Sequence, residues 1–322
     1  MRVVVTGAAG FIGRATVRRL AGLGHTVVAL VRDPARAAEI LPNGTELVQS
    51  DLSARDVLVT AMAGADGVIH LAGSYRVGIR ADERPAMEDA NVGATERVLD
   101  AAIRAGVPRV VYVSTVGTYG DTRGRVVDET ADRAPGPFIS WYDETKFRAH
   151  KVAEARIADG APIVIVQPGI VYGPDDHSGS GRQLELAFRG ELPYVALGEA
   201  GVTPVHVDDV AAGIVAALER GAVGERYILA GQPMRLREAI AIAARAGGHR
   251  APRITLPTTF LRLLAKAPAP LARLLRRPDA LDEIIAAGTV TYWASSDKAK
   301  RDLGFAPRPL AQGVVDAFGT AS

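Results

Sequence analysis

The chain of 322 residues is 48% hydrophobic and 23% charged, the proportions of an ordinary globular protein with ample material for a core. Its net charge of +2 comes without basic runs or interleaved aromatics, so nucleic acid is not expected as a partner. Cysteine is absent, which excludes disulfides, thiolate zinc sites and cysteine nucleophiles, and no apolar run reaches the roughly 18 residues of a membrane span.

The start, MRVVVTGAAG, runs from the initiator methionine straight into a strand, which leaves no room for a signal peptide and predicts a cytoplasmic protein. Apolar, β-branched runs then alternate with helical patterns. RVVVTG is followed by a helix over about 11–21, TVVALVR by PARAAEIL, TELVQSD by a helix through Met62, and GVIHLAG by a helix across Asn91 to Ala105. RVVYVST leads to a helix around SWYDETKFRAH, and that helix to PIVIVQPG. Continuous Val/Ile runs mean strands buried on both faces, so the fold class predicted is α/β, a Rossmann-type doubly wound parallel sheet.

The first turn, VVVTGAAGFIG, puts Gly7, Gly10 and Gly13 between a strand and a helix start, where small residues let the backbone approach a pyrophosphate and the free amides favour its charge. A dinucleotide site is predicted here. The second strand ends in ALVRDPAR, where an acidic residue would accept the ribose hydroxyls of NAD. Arg32 instead suits the additional phosphate of NADP, while Asp33 before Pro34 has the pattern of a helix cap. NADP(H) is therefore preferred, with NAD(H) still open. No metal ligands are assigned.

In SWYDETKFRAH, Tyr142 and Lys146 are four residues apart and share one helix face. A cation beside a phenol favours the phenolate, so the pair suits acid/base work near neutrality. The same spacing also fits the wet side of an amphipathic helix, and His70 and His206 read as structural residues, with Asp208 and Asp209 capping the helix after VHVDD.

These motifs together resemble an extended short-chain dehydrogenase/reductase, the NAD-dependent epimerase/dehydratase superfamily. TGAAGFIG matches its fingerprint, VIHLAG its fourth-strand motif and WYDETK its Tyr-x-x-x-Lys. QPGIVYGP, VHVDDVA and YWASSDKAKRDLGFAPRPL match later signatures, so the resemblance spans nearly the whole chain.

The resemblance implies that Tyr142 exchanges a proton with the substrate oxygen, that Lys146 holds the nicotinamide ribose and lowers the tyrosine pKa, and that Thr115 polarises the substrate oxygen, with Ser114 as the fallback. It implies cofactor contacts from Thr6, Gly7, Gly10, Phe11, Ile12 and Gly13, from Arg32, Asp51 and Leu52, from Leu71, Ala72 and Gly73, and from Pro168, Gly169 and Ile170. Asn91 resembles a supporting asparagine, although a helix-surface asparagine reads equally well. By their place after the strand ends, Ser74, Tyr75, Arg76, Thr115, Tyr172 and Arg182 are expected on the substrate side and PDDHSGSGRQ as a mobile flap, although the loops that hold Tyr75, Arg76 and Arg182 fit inert surface loops equally well.

Absences narrow the branch. Sugar-nucleotide dehydratases carry an Asp-Glu pair where this chain has Val116 and Gly117, and the cysteine used in some carbon epimerisations does not exist here. Val202 stands where diphosphate-binding members place an arginine, although Arg182 in DDHSGSGRQ could substitute for it. The expected activity is NADPH-dependent reduction of a fairly apolar ketone or aldehyde, or oxidation of the alcohol, as in the branch resembling dihydroflavonol reductases and hydroxysteroid enzymes. A nucleotide-sugar 4-epimerase with bound NAD is the runner-up, and a catalytically silent NADP-sensing regulator the third reading.

Residues 1–168 and 204–230 are expected to form the Rossmann domain, and 169–203 and 231–322 a smaller, discontinuous substrate domain. FLRLLAKAPAPLARLLRRPDAL, broken by Pro268 and Pro270, is expected to form two short helices over the cleft rather than a membrane-surface helix. A homodimer is compatible with the resemblance.

Overall fold

The computed structural model describes residues 1–176, 178–256 and 281–319. Strand β1 (Arg2–Thr6) carries three valines with no exposed surface, because helices cover both faces of it. It leads into α1 (Phe11–Gly22), β2 (Thr26–Val31), α2 (Pro34–Ile40), β3 (Glu46–Gln49), α3 (Arg55–Met62) and β4 (Gly67–His70). Helix α4 (Arg84–Glu88), a π-turn over Asp89–Gly93 and α5 (Ala94–Arg104) precede β5 (Val110–Val113), α6 (Trp141–Ala158) and β6 (Ile163–Pro168). The continuous helix expected across Asn91 is thus widened by a π-turn, a device that re-aims a side chain and recurs at functional sites.

There follow β7 (Ile170–Tyr172), α7 (Gly179–Phe188), β8 (Val195–Ala196), β9 (Gly201–Val202), β10 (Pro204–His206), α8 (Val207–Arg220) and β11 (Arg226–Leu229). The last described elements are β12 (Met234–Arg235), α9 (Leu236–Ala246), β13 (Thr255–Leu256), α10 (Leu281–Ala287), α11 (Asp297–Leu303) and α12 (Leu310–Phe318). The amphipathic stretch before α10 lies outside the described residues up to position 280. Among the described residues no helix is long and apolar enough to cross a membrane.

Seven strands form one sheet in the order β11-β6-β5-β4-β1-β2-β3, every neighbouring pair parallel. From β1 the chain builds outward to β2 and β3, then returns to place β4 on the other side. The reversal opens a crevice at the C-terminal ends of β1 and β4, where open α/β sheets take their ligands. Alternation along β1 divides the core: Val3 and Val5 pack with Leu20, Ile214 and Leu303, whereas Val4 packs with Leu58, Leu99 and Ala153. A third cluster, with Leu184, Ile240 and Val314, joins α7, α9 and α12.

Two local expectations change. The cap of α8 is His206, whose Nδ1 accepts from Asp208 N at 3.2 Å, and not Asp208 or Asp209. Asp209 instead receives a fork from Arg308, with Nη2 to Oδ1 at 2.8 Å and Nε to Oδ2 at 3.1 Å, which fastens the C-terminal segment to α8. The stretch expected as a flap opens α7: Ser178 is its N-cap, accepting from Gly181 N at 3.1 Å, and Asp176 accepts from Ser178 N at 2.8 Å. His177 lies outside the described residues.

Candidate active site

The turn after β1 has the geometry of an anion cradle. Gly7 has φ of +70°, and a Cβ there would stand 2.7 Å from the backbone nitrogen of Ala72. Gly10 is the N-cap of α1 and has no side chain to satisfy the first-turn amides; no acidic residue lies in that turn. Those amides and the helix dipole therefore fit a pyrophosphate. Phe11 and Ile12 are half-buried at the helix start, and a Cβ on Gly13 would collide with the Gly7 carbonyl oxygen.

Thr6 Oγ1 accepts from Ala72 N at 3.3 Å and lies 2.7 Å from His70 Nδ1, so it ties the ends of β1 and β4 together. His70 is a satisfied core residue, with Nε2 3.1 Å from Thr95 Oγ1, and burial pushes its imidazole down to about 3. Leu71, Ala72 and Gly73 leave β4, and Gly169 and Ile170 follow Pro168 at the end of β6, all at the C-terminal edge of the sheet. Asp51 and Leu52 follow β3. Asp51 accepts from Ser53 Oγ at 2.6 Å and Ser53 N at 2.9 Å, which hold its carboxylate below the usual range, and Leu52 is buried with φ of +67°. Arg32 is exposed just beyond β2, while Asp33 caps α2 by accepting from Arg36 N at 3.1 Å.

Helix α6 begins at the cap Ser140, which accepts from Asp143 N at 3.1 Å. Lys146 is buried, which removes the wet-face reading of the pair, and its Nζ donates to Val113 O at 3.1 Å and reaches the Tyr112 hydroxyl at 3.5 Å. Burial lowers its ammonium to about 8. The Tyr142 phenol lies beside the Thr115 side chain. Contrary to the expected lowering by Lys146, burial first, then Tyr75 and Asp143, push the phenol well above its ordinary range and keep it protonated. Thr115 Oγ1 accepts from Gly117 N at 3.2 Å, whereas Ser114 Oγ points elsewhere, 2.9 Å from His150 Nδ1. Of the two candidate hydroxyls, the structure brings Thr115 to Tyr142.

Asn91 is buried, not on the helix surface. Its Oδ1 accepts from Ser74 N at 2.7 Å and its Nδ2 donates to Ser74 O at 3.1 Å and to Thr145 Oγ1 at 2.9 Å. The π-turn thus pins the loop after β4 to α6 and carries Tyr75 onto Tyr142. Arg76 turns to Glu83 at 2.5 Å, and Arg182 is exposed on α7. Tyr172 does not line the site. It is 1% exposed inside the third core cluster, edge-on to His206, so it has no surface to offer a substrate.

Two residues were missed by sequence reasoning. Asp143, beside Tyr142, is pushed up to about 6 by burial despite its bond from Ser140 Oγ at 3.2 Å, and the hydroxyl of Tyr292 lies 3.5 Å from its Oδ2. The signal was the YW opening of the C-terminal motif, whose contact with α6 only the folded chain makes. Val116 and Gly117 lie on a short 3-10 turn, and Val202 is buried in β9 opposite Met234. Among the described residues no three side chains are grouped to hold a metal.

A glycine turn at the switch point of a Rossmann sheet, with a Tyr/Lys pair on α6 in the same chain, is the pattern of NAD(P)-dependent oxidoreductases acting on alcohols and carbonyls. The model of the NAD dependent epimerase/dehydratase family matches residues 3–230, and the chain belongs to that family, within the extended short-chain dehydrogenase/reductases. It is 31% identical to a 4-hydroxy-2-methyl-3-oxo-4-farnesyl-3,4-dihydroquinoline-1-oxide ketoreductase of Stigmatella aurantiaca, over 100% of this chain and 96% of the relative. Among solved structures it resembles gox2253 at 35% identity, with a TM-score of 0.81 over 98% of this chain and 96% of the other. It also resembles MoeE5, solved with UDP-glucose and NAD, at 26% identity and a TM-score of 0.75 over 99% and 97% of the two chains.

Proposed function

We propose that this chain reduces a fairly apolar ketone or aldehyde with NADPH, or oxidises the corresponding alcohol. The observation that carries the reading is the protonated Tyr142 phenol beside the Thr115 side chain, one helical turn from the buried Lys146. When bound, the nicotinamide supplies or receives the hydride. Tyr142 gives its proton to the carbonyl oxygen, and the Thr115 hydroxyl donates a second hydrogen bond to that oxygen. Lys146, charged at neutral pH, restores the phenol and anchors the ribose hydroxyls. The glycine turn and the amides of α1 hold the pyrophosphate, and Asp51, Leu52, Leu71, Ala72, Gly73, Pro168, Gly169 and Ile170 line the remaining cofactor path.

Arg32 supports NADP because the rival acid, Asp33, is engaged in capping α2. Residues 1–168 and 204–230 would hold the cofactor and 169–203 with 231–322 the substrate, where Tyr75 and Tyr292 supply aromatic surface beside Tyr142 and Asp143. The ketoreductase likeness supports a carbonyl substrate. The MoeE5 likeness favours a second reading, a nucleotide-sugar 4-epimerase, although the buried Val202 offers a diphosphate no partner.

Loss of NADPH absorbance against aromatic, steroidal and aliphatic carbonyls tests the reading, with UDP-glucose/UDP-galactose interconversion run alongside. Carbonyl turnover that vanishes in Tyr142→Phe is the expected result. Sugar interconversion without net cofactor oxidation would replace it with the epimerase, and bound cofactor that no carbonyl oxidises would favour a regulator. Arg32→Ala should weaken NADPH far more than NADH; an equal loss for both would remove the NADP preference.

A further inference from the structure

His150 lies one turn beyond Lys146 on α6 and has no part in the chemistry above. It is 3% exposed, with Nδ1 2.9 Å from Ser114 Oγ and Nε2 3.2 Å from Glu154 Oε1. Ser114 also lies beside the Tyr112 hydroxyl, and that hydroxyl stands 3.5 Å from Lys146 Nζ. A continuous run of exchangeable protons therefore leads from Lys146 through Tyr112, Ser114 and His150 to Glu154, whose side chain is 28% exposed. Every group between Lys146 and Glu154 can both donate and accept.

We propose that this run is the route by which protons reach and leave the site, with His150 as its pivot. The inference rests on the carbonyl-reductase reading. Each reduction moves one proton from Tyr142 to the substrate oxygen, and Lys146 replaces it. At rest the neutral ring carries its one proton on the nitrogen facing the ionised Glu154, so each inward transfer begins with a half-turn of the ring that brings that N–H to Ser114. Tyr112 then passes a proton to Lys146, Ser114 to Tyr112 and the imidazole N–H to Ser114, while the bare nitrogen now facing Glu154 takes a solvent proton there. One solvent proton enters per carbonyl reduced, and the ring ends with its proton again toward Glu154. Alcohol oxidation runs the same steps outward.

The surroundings suit a neutral relay. Burial lowers the His150 pKa, so the ring passes protons between its two nitrogens without resting as a buried cation. The charged groups facing it are Glu154 and Lys151 on α6 and Arg226 on β11. The bond to His150 and the ammonium of Lys151, 2.6 Å away, hold Glu154 down to about 2, so the partly exposed mouth stays ionised; Arg226 Nη1 donates to the same Oε1 at 3.1 Å.

The test is steady-state kinetics of His150→Gln, which keeps two hydrogen-bonding ends but has no second tautomer to exchange. Wild-type turnover of a carbonyl, lost in Tyr142→Phe, first establishes the underlying reading; its absence would overturn reading and relay together. Given turnover, His150→Gln should bind NADPH as wild type does and lose roughly tenfold or more in kcat. The solvent deuterium isotope effect on kcat should rise. Tyr112→Phe, which cuts the run one step nearer Lys146 without emptying the core, should raise the isotope effect in the same way. A His150→Gln enzyme with unchanged kcat and isotope effect, or a loss of kcat with an unchanged isotope effect, would reduce His150 to a structural residue. Should His150→Gln fail to fold, an unchanged isotope effect in Tyr112→Phe would overturn the relay.

Discussion

The ring of Tyr75 meets the ring of Tyr142 edge-on, with centroids 4.7 Å apart and planes at 89°. An exposed loop residue is thus held against the helix residue that carries the proposed proton, through the bonds of Asn91 to Ser74. Edge-to-face pairs contribute about 0.5–1.5 kcal/mol beyond their buried area. Tyr75→Ala should raise KM for the carbonyl by roughly two- to tenfold with the NADPH Kd unchanged. Steady-state kinetics with cofactor titration would show it, and a changed Kd with an unchanged KM would place Tyr75 outside the substrate wall.

Thr115→Val keeps the shape of the side chain and removes the hydroxyl beside Tyr142. Removal of one preorganised donor to a reacting oxygen costs on the order of 100- to 1000-fold in kcat. That loss is expected here with cofactor affinity retained. Ser114→Ala should cost less, because Ser114 faces His150, and its rate should carry the raised solvent isotope effect of His150→Gln.

Gly13→Ala should remove NADPH binding and lower the melting temperature, because the new Cβ collides with the Gly7 carbonyl and forces the turn open. The mechanism is local. Fluorescence titration with NADPH and a thermal melt test it, and wild-type affinity would mean that α1 can slide without cost.

Asp143 carries a pH signature. Its carboxyl is raised by burial to about 6 from an ordinary 3.8, so between those values the folded state holds a proton that the unfolded state has lost. Its favourable term is complete below pH 3.8 and is lost as pH rises through about 6. Asp143→Asn should therefore gain stability relative to wild type as pH rises over that window, by at most about 3 kcal/mol. Thermal melts of both proteins across the window measure it, and parallel curves would refute the raised pKa.

Arg308→Met should destabilise the chain, because it breaks the fork to Asp209 and leaves that carboxylate 11% exposed without its cation. Removing one partner of a largely buried pair costs on the order of 3 kcal/mol. The midpoint of denaturant unfolding should fall accordingly.

Much of this molecule was legible before folding. The Val-rich runs announce strands with two buried faces, the spacing of Gly7, Gly10 and Gly13 announces the nucleotide turn, and Asp33-Pro34 announces a helix cap, because each of these is a local rule of period, conformational freedom or hydrogen bonding. Tyr142 and Lys146 were legible for the same reason, since i and i+4 meet on any helix.

Other features depend on which distant segments meet. No local pattern turns Ser114 to His150 and Thr115 to Tyr142, buries Asn91 against Ser74, hides Tyr172 under α12, or sets Tyr292 beside Asp143. The direction of the Tyr142 pKa belongs with them: the sequence supplies a neighbouring cation, but desolvation by packed surroundings outweighs it in the folded chain. The sequence by itself determined the parallel sheet, the glycine turn and the placing of Tyr142 and Lys146 on one helix. Tertiary structure alone decided which hydroxyl serves that pair and what surrounds it, because burial and long-range contact exist only after the segments have packed.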